Sequence, residues 1–540
     1  MFDILIINGR VIDGAGNPWT WADVAIENDR IVAVGNLRGA AAKKIINADG
    51  QFVTPGFVDF HTHSDLQPLA NPLHECKTRQ GVTLDVIGQD GLGLAPVSQA
   101  TAAQLRSQLA GWNGDPPNVE WNWNTVTDYL DHFENTTAIN VAMLVPHGTV
   151  RMLVMGTDNR APTEKELNKM RAFVDQCMRE GCVGLSTGLT YTPGMYATDD
   201  EIVELCRVLG PYGGYYCPHH RNYGMRAIQG YSDSIEIARR AQVPINLTHA
   251  HFGFPVNKNR APELLAVFDN ARREGVDVTL DTYPYIAGAT YLHAILPSWV
   301  HEGGMDATLA RLQNLETRAR IQHEIEVTGS DSWHAVPIDW HTIQIAGTPN
   351  GIDAWAVGMR VDDAAKQANM SPFDCYCDLL IRTRLGASQL AFIGNEENVQ
   401  KILQHPIHLV GSDGILVGDM PHPRGWGSHV RFLAHYVRDL ELLTWEEGIR
   451  HMTSAATQRL GFLERGLVRP GMMADIVVFD PETLQDTATY ENPRSYPIGV
   501  SHVINNGTLV VENSQTTGAT PGRALREPFG RKAERITTHR

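Results

Sequence analysis

"GFVDFHTH", residues 56–63, is an apolar run that closes on two imidazoles two positions apart. Phe57, Val58 and Phe60 break the alternation of a half-solvated strand, so the run predicts a strand buried on both faces. The same pattern returns in "GVTLDVIGQD" (81–90), "INVAMLVPHG" (139–148), "GCVGLSTGL" (181–189), "GGYYCPHHR" (213–221), "VPINLTHAH" (243–251), "VDVTLDTYPY" (276–285) and "HPIHLVGSDG" (405–414). Helical segments such as "TEKELNKMRAFVDQCMREG" and "APELLAVFDNARREG" separate many of these runs. Near-continuous apolar strands alternating with helices predict an α/β protein whose parallel sheet is covered on both faces, and eight of them predict a (β/α)8 TIM barrel. The long gap before the eighth run predicts a large insertion between strands 7 and 8, at about 288–404.

Outward from that core, the chain ends have a different texture. "ILIINGRVID", "WADVAIENDRIVAVG" and "KKIINADGQFV" alternate apolar and polar residues around Asn-Gly and Asp-Gly turns. "GLVRPGMMADIVVFDPETL" and "VSHVINNGTLVVENS" repeat that texture near the other end. The expected organisation is therefore a small β-sandwich built from residues 1–54 and 464–526, with the barrel, 55–463, between its halves. The polar, basic tail, 527–540, is expected to be loose.

Composition narrows the function. A net charge of −16, with no basic stripe, argues against nucleic acid or an anionic membrane as the partner and leaves a small-molecule substrate. No apolar run approaches the ~18 residues of a spanning helix. The N-terminus lacks the basic start and apolar run of a signal peptide, and seven scattered cysteines fit reduced thiols, so a cytoplasmic protein is expected. Self-association into a homo-oligomer stays open.

The decisive pattern is what ends each run. His61 and His63 end the first, Asp90 the second, His219 and His220 the fifth, His249 and His251 the sixth, and Asp413 the eighth. Strand ends of a barrel converge on one mouth. Neutral imidazoles and carboxylates gathered there, with hardly any Lys or Arg beside them, are ligands for a divalent metal. Residues two apart on a strand face the same way, so His61 and His63 can share an ion. By the same parity only one of His219 and His220 points inward. His251 shares a face with His249 and is either a ligand or a substrate contact. Asp90, before Gly91, can be read alone as a turn residue.

"PGFVDFHTHSD" resembles the opening metal motif of the amidohydrolase superfamily. More narrowly, "VIGQDGLGLAP", "GLSTGLTYTPGMYA", "LTHAHFG", "GSDG" followed by "HPRGWGSHVRFL", and "GVSHVINNGTLVVENSQTTGATPGRALR" resemble the D-aminoacylase (N-acyl-D-amino-acid deacylase) family. The resemblance runs in order along almost the whole chain and implies a metal-dependent barrel hydrolase acting on an amide C–N bond. It implies a tight metal site of His219 and His249 with a third ligand at the end of the second strand. There the family has cysteine in "GNCG" and this chain has "GQDG", which makes Asp90 a metal ligand. "GLSTGL" has no lysine, so the carboxylated-lysine bridge of other amidohydrolases is replaced by the two oxygens of Asp90. His61 and His63, with Asp413, would hold a second, weaker position. Zinc is the expected ion, as one or two per chain; oxygen in place of sulfur makes manganese or cobalt more acceptable.

Asp413 matches the family's general base, taking a proton from the attacking water and returning it to the departing nitrogen. Arg424, Tyr191 and Tyr283 match positions near the substrate, and His251 stands where the family commonly has lysine ("SHHK"). N-acyl-D-amino acids are the leading substrates, with a dipeptide, carbamate or cyclic amide as alternatives. A metal-dependent lyase, decarboxylase or isomerase on the same barrel is the rival enzyme class. A non-catalytic binding protein would predict eroded strand ends, and these are intact.

Overall fold

The parallel strands fall inside the apolar runs in a computed structural model that describes residues 1–526. They are Phe57–Asp59, Val82–Ile87, Asn140–Met143 continued by Val145–Pro146, Gly184–Gly188, Tyr215–His219, Ile245–Leu247, Val278–Thr282 and His408–Val410. Nearly every residue in them is buried, as expected of strands packed on both faces. They form two parallel sheets. One holds the first three strands in chain order; the other runs from Val145–Pro146 through the fourth to seventh strands to His408–Val410. Backbone hydrogen bonds join both seams. The Leu144 N–H donates to the Ile87 carbonyl at 3.0 Å, and the Phe60 N–H to the Val410 carbonyl at 3.1 Å. The first and eighth strands are therefore neighbours, and a parallel bridge between Thr62 and Gly414 extends their contact to the C-terminal ends.

Helices cover these strands. Glu164–Arg179 opens with a capping box between Thr163 and Glu166 and buries Met170, Val174, Cys177 and Met178, a stripe of three-to-four spacing. Ala261–Arg273 starts with Pro in its first turn and buries Ala261, Leu264, Phe268 and Ala271 in the same way.

Strands from both chain ends share one nine-stranded mixed sheet. Ile476–Phe479 pairs antiparallel with Phe52–Pro55, Ile476 opposite Pro55 and Phe479 opposite Phe52. Phe52–Pro55 continues almost directly into Phe57–Asp59, so this sheet anchors the first parallel strand. Between the seventh and eighth parallel strands, Gly288–Tyr291, Ile343–Gly347 and Ser388–Ala391 make a small antiparallel sheet, the last in the middle. This segment carries its own apolar core, including Leu292, Ile295, Ile345, Tyr376 and Leu380. The expectation for 527–540 lies outside the described residues. No helix among the described residues is long and apolar enough to cross a membrane.

Candidate metal centre

The strand-end residues meet. His61, His63 and Asp413 offer ligand atoms within 4.8 Å of one another, and so do His61, Asp90 and His249. His63 Nε2 lies 3.1 Å from Asp413 Oδ1 and 3.5 Å from Asp90 Oδ2. His61 Nε2 is 3.6 Å from Asp413 Oδ1 and 3.7 Å from Asp90 Oδ1. His219 Nδ1 approaches Asp90 Oδ2 at 3.4 Å and His249 Nε2 at 3.0 Å. All six are buried. His220 points the other way, packed between Tyr223 and Tyr231 in tilted contacts with ring centroids 3.9 and 4.0 Å away.

Local backbone explains the convergence. Asp90, His249 and Asp413 all have positive φ, +54°, +28° and +49°. Non-glycine residues held there are strained, and such strain collects at functional sites. The turn bends each chain over the strand end and turns the side chain inward. Asp90 is thus a turn residue and part of the cluster at once. Asp413 is fixed further by its N–H, which donates to the His61 carbonyl at 2.7 Å. Gly188 clears the space: a Cβ there would lie 2.0 Å from the Asp90 carbonyl oxygen.

The donor set fits a divalent cation. Both nitrogens of His61 and Oδ1 of Asp90 are buried without a hydrogen-bond partner, a costly state that a cation relieves. Burial pulls the His63 imidazole down, but Asp413 and Asp90 overcome it and raise it to about 9. Burial opposes ionisation of Asp90, yet His219, His249 and His63 hold its carboxyl well below the usual range. Asp413 is likewise held down against burial, first by Arg424 and then by His63. A pocket where carboxylates stay charged and draw protons onto imidazoles is one where positive charge is wanted.

Around this cluster lies a cavity of about 90 Å³, lined among others by His63, Asp90, Tyr191, His251, Tyr283 and Asp413. Trp333 and His334 line it from the segment between the seventh and eighth strands. Tyr191 packs on His219 at 4.7 Å, and its hydroxyl pairs with that of Thr290 at 2.9 Å. His251 stacks on Tyr283 at 5.4 Å, and burial pulls its imidazole down to about 4. Arg424 is fully buried, with Nη1 2.9 Å from Asp413 Oδ2 and its guanidinium 4.5 Å from the Tyr283 ring. It reaches the cavity through Asp413 and Tyr283. A second cavity, of about 340 Å³, shares Tyr191 and runs along Tyr291 and His293.

Several neighbours escaped the sequence reading. Buried Lys77 bonds Asp59, Ser412 Oγ at 2.7 Å and Thr62 Oγ1 at 3.3 Å, which ties the His-Thr-His strand to the loop carrying Asp413. Trp112 packs on His63 at 4.5 Å. Asp281 approaches His61 from the seventh strand, Oδ1 to Nδ1 3.3 Å. Asp59 and Asp281 did leave a signal, since each is a charge inside an apolar strand, where it needs a partner.

With the site in place, relatives can be set beside it. The chain belongs to the amidohydrolase family, whose pattern matches residues 44–511. Within it the similarity is to D-aminoacylases. The D-aminoacylase of Alcaligenes xylosoxydans xylosoxydans is 33% identical over 525 residues, 97% of each chain. A solved D-aminoacylase with a binuclear metal centre superposes with a TM-score of 0.82 at 33% identity, over 98% of this chain and 100% of that one. The N-acyl-D-glutamate deacylase of Bordetella bronchiseptica was solved with zinc and a phosphonate mimic of the tetrahedral intermediate. It superposes with a TM-score of 0.82 at 31% identity, over 97% of this chain and 100% of that one.

Proposed function

We propose that this protein is a metal-dependent amidohydrolase that splits the amide C–N bond of an N-acyl-D-amino acid, giving a carboxylate and a D-amino acid. The observation that carries this is the meeting of His61, His63, Asp90, His219, His249 and Asp413 around buried, unpartnered donor atoms. We assign His219, His249 and Asp90 to the tighter position and His61, His63 and Asp413 to the weaker. Asp90 replaces a thiolate with two oxygens, which suits zinc and also accommodates manganese or cobalt, as one or two ions. When bound, such an ion lowers the pKa of water to about 7 and polarises an adjacent carbonyl.

Asp413 accepts the proton of the attacking water at a carboxylate oxygen and passes it to the amide nitrogen, which leaves poorly unless protonated. Arg424, 2.9 Å away, keeps Asp413 ionised and therefore able to accept. Tyr283 orients the substrate carboxylate, backed by Arg424 behind its ring, with His251 beside it and Tyr191 across the cavity. A neutral His251 is a weaker carboxylate partner than the family's lysine, which favours, as a second reading, a less charged amide such as a cyclic amide, dipeptide or carbamate.

The contact of the first strand with the eighth supports a closed (β/α)8 barrel over 55–463, with the insertion at 288–404. The pairing of Ile476–Phe479 with Phe52–Pro55 supports a β-sandwich assembled from 1–54 and 464–526. A cytoplasmic location accords with seven unpaired cysteines. The test is to load the protein with zinc and assay N-acetyl-D- and L-amino acids, dipeptides, carbamates and cyclic amides for released amine. Amine from the D-series alone is expected. Carbon dioxide or an isomerised product without amine would replace hydrolysis by a lyase or isomerase reaction.

A further inference from the structure

We propose that Asp281 is the positioning residue of the metal centre, setting the tautomer of His61 and the strained backbone of His249 together; this rests on the reading of the cluster as a metal site. Asp281 lies in the strand Val278–Thr282 and is 1% exposed. Its oxygens are divided between two tasks. Oδ1 accepts the His249 N–H at 2.9 Å and lies 3.3 Å from His61 Nδ1. Oδ2 accepts from Asn246 Nδ2 at 2.6 Å, and the Asn246 amide oxygen in turn accepts from Thr279 Oγ1 at 2.9 Å. The Asp281 main-chain oxygen accepts the Ala250 N–H at 2.6 Å, so the same residue grips the backbone on both sides of the His249 Cα–C bond.

The 3.3 Å contact is not aligned as a hydrogen bond, but a carboxylate charge beside Nδ1 favours the imidazole proton on that nitrogen and leaves the Nε2 lone pair free. His61 Nε2 is the nitrogen that faces Asp90 and Asp413, at 3.7 and 3.6 Å. Among the described residues Asp281 has no Lys or Arg within salt-bridge distance; His61 is its only ionic neighbour. A buried carboxylate without a cationic side chain is stabilised by whatever positive charge its histidine holds on the far side. Gly411 leaves room for the pair, since a Cβ there would lie 2.7 Å from His61 Cβ and 3.3 Å from Asp281 Oδ1.

The test separates positioning from packing with two variants. Asp281→Asn removes the carboxylate and sets two amides against each other at Asn246. Adding Asn246→Asp restores an amide–carboxylate bond, with the charge moved away from His61. Zinc affinity is measured by competition with a chromogenic chelator, the His61 tautomer by long-range ¹H–¹⁵N NMR of metal-free protein, and stability by urea midpoint. The expected result is a loss of zinc affinity of about 10–100-fold in both variants. The His61 proton should leave Nδ1 in both, while the double variant recovers its urea midpoint. Wild-type zinc affinity in the single variant, or affinity recovered along with stability in the double, would reduce Asp281 to a packing residue. Wild-type protein that takes up no zinc overturns the metal reading itself, and this inference with it.

Discussion

Asp90 is the residue on which the centre turns. Its φ of +54° is what an Asp before glycine adopts in a turn, and its carboxylate still reaches His61, His63, His219 and His249. Turn geometry and the proposed ligand role are therefore compatible at one position, whereas the sequence alone set them against each other. Asp90→Ala should leave less than one zinc per chain by elemental analysis, because the tighter grouping loses one of its three donors and the weaker one the carboxylate beside its histidines. Asp90→Cys should retain zinc and bind manganese more weakly than wild type, as a softer ligand dictates. Full zinc content in Asp90→Ala would return the residue to a purely structural role. Asp413→Asn addresses chemistry: metal should stay and kcat should fall by about 10²–10⁴-fold, the usual contribution of a positioned acid–base group. The histidine pairs were legible because strand parity is rigid. Asp281 and Lys77 were not, because what they touch is set by partners 220 and 335 positions away along the chain, His61 and Ser412.

At the scale of elements, the fourth parallel strand, Gly184–Gly188, acts by what it lacks. It brings no side chain of the lysine type to the centre, and its last glycine lets the Asp90 loop rest on its backbone. Gly188→Ala would drive a methyl into the Asp90 carbonyl, 2.0 Å away. Overpacking of this kind costs about 1–3 kcal/mol, and here the displaced atom belongs to a candidate ligand. Gly188→Ala should therefore lower the urea midpoint and weaken zinc binding together; a destabilised variant with unchanged zinc affinity would uncouple strand and site. The eight strands could be read from their apolar runs, and their C-terminal residues from the polar groups that end them. The segment between the seventh and eighth strands could be anticipated only as an insertion rich in Trp and His. Its strands are four or five residues long and pair out of chain order, Ser388–Ala391 lying between Gly288–Tyr291 and Ile343–Gly347. Such short, non-local pairing leaves no period for a sequence to display. A lid role was still expected of this segment from its Trp- and His-rich stretch "DSWHAVPIDWHT", and Trp333 and His334 of that stretch do line the cavity.

For the molecule as a whole, burial of reactive groups governs how it responds to solution conditions. All seven cysteines are buried, and burial pushes Cys375 up to about 11 and Cys377 to about 12. A thiol-specific disulfide reagent should therefore label almost none of them in the native protein and all seven after denaturation. Buried histidines set the pH dependence from two directions. Burial, aided by His451, holds His408 well below its ordinary value of 6.5, and burial with Arg424 does the same for His422. Below pH 6.5 the unfolded chain takes up these protons while the folded chain refuses them. Stability thus falls on acidification, by up to ~1.4 kcal/mol per pH unit for each imidazole. His74 works in the opposite sense. Burial lowers it, but Cys76 and Asp85 outweigh burial and raise it to about 9. Its contribution is complete below 6.5 and disappears as pH rises through 9. Urea midpoints of the metal-free protein between pH 5 and 9 should accordingly pass through a maximum near 6.5. His408→Leu should make the acid limb less steep by one imidazole's share and leave the alkaline limb unchanged, because other buried histidines held low, His422 among them, keep the rest of the acid limb. A midpoint that stays level from pH 5 to 6.5, or an acid limb that His408→Leu leaves as steep as before, would mean that His408 takes up protons as readily in the folded protein as in the unfolded chain.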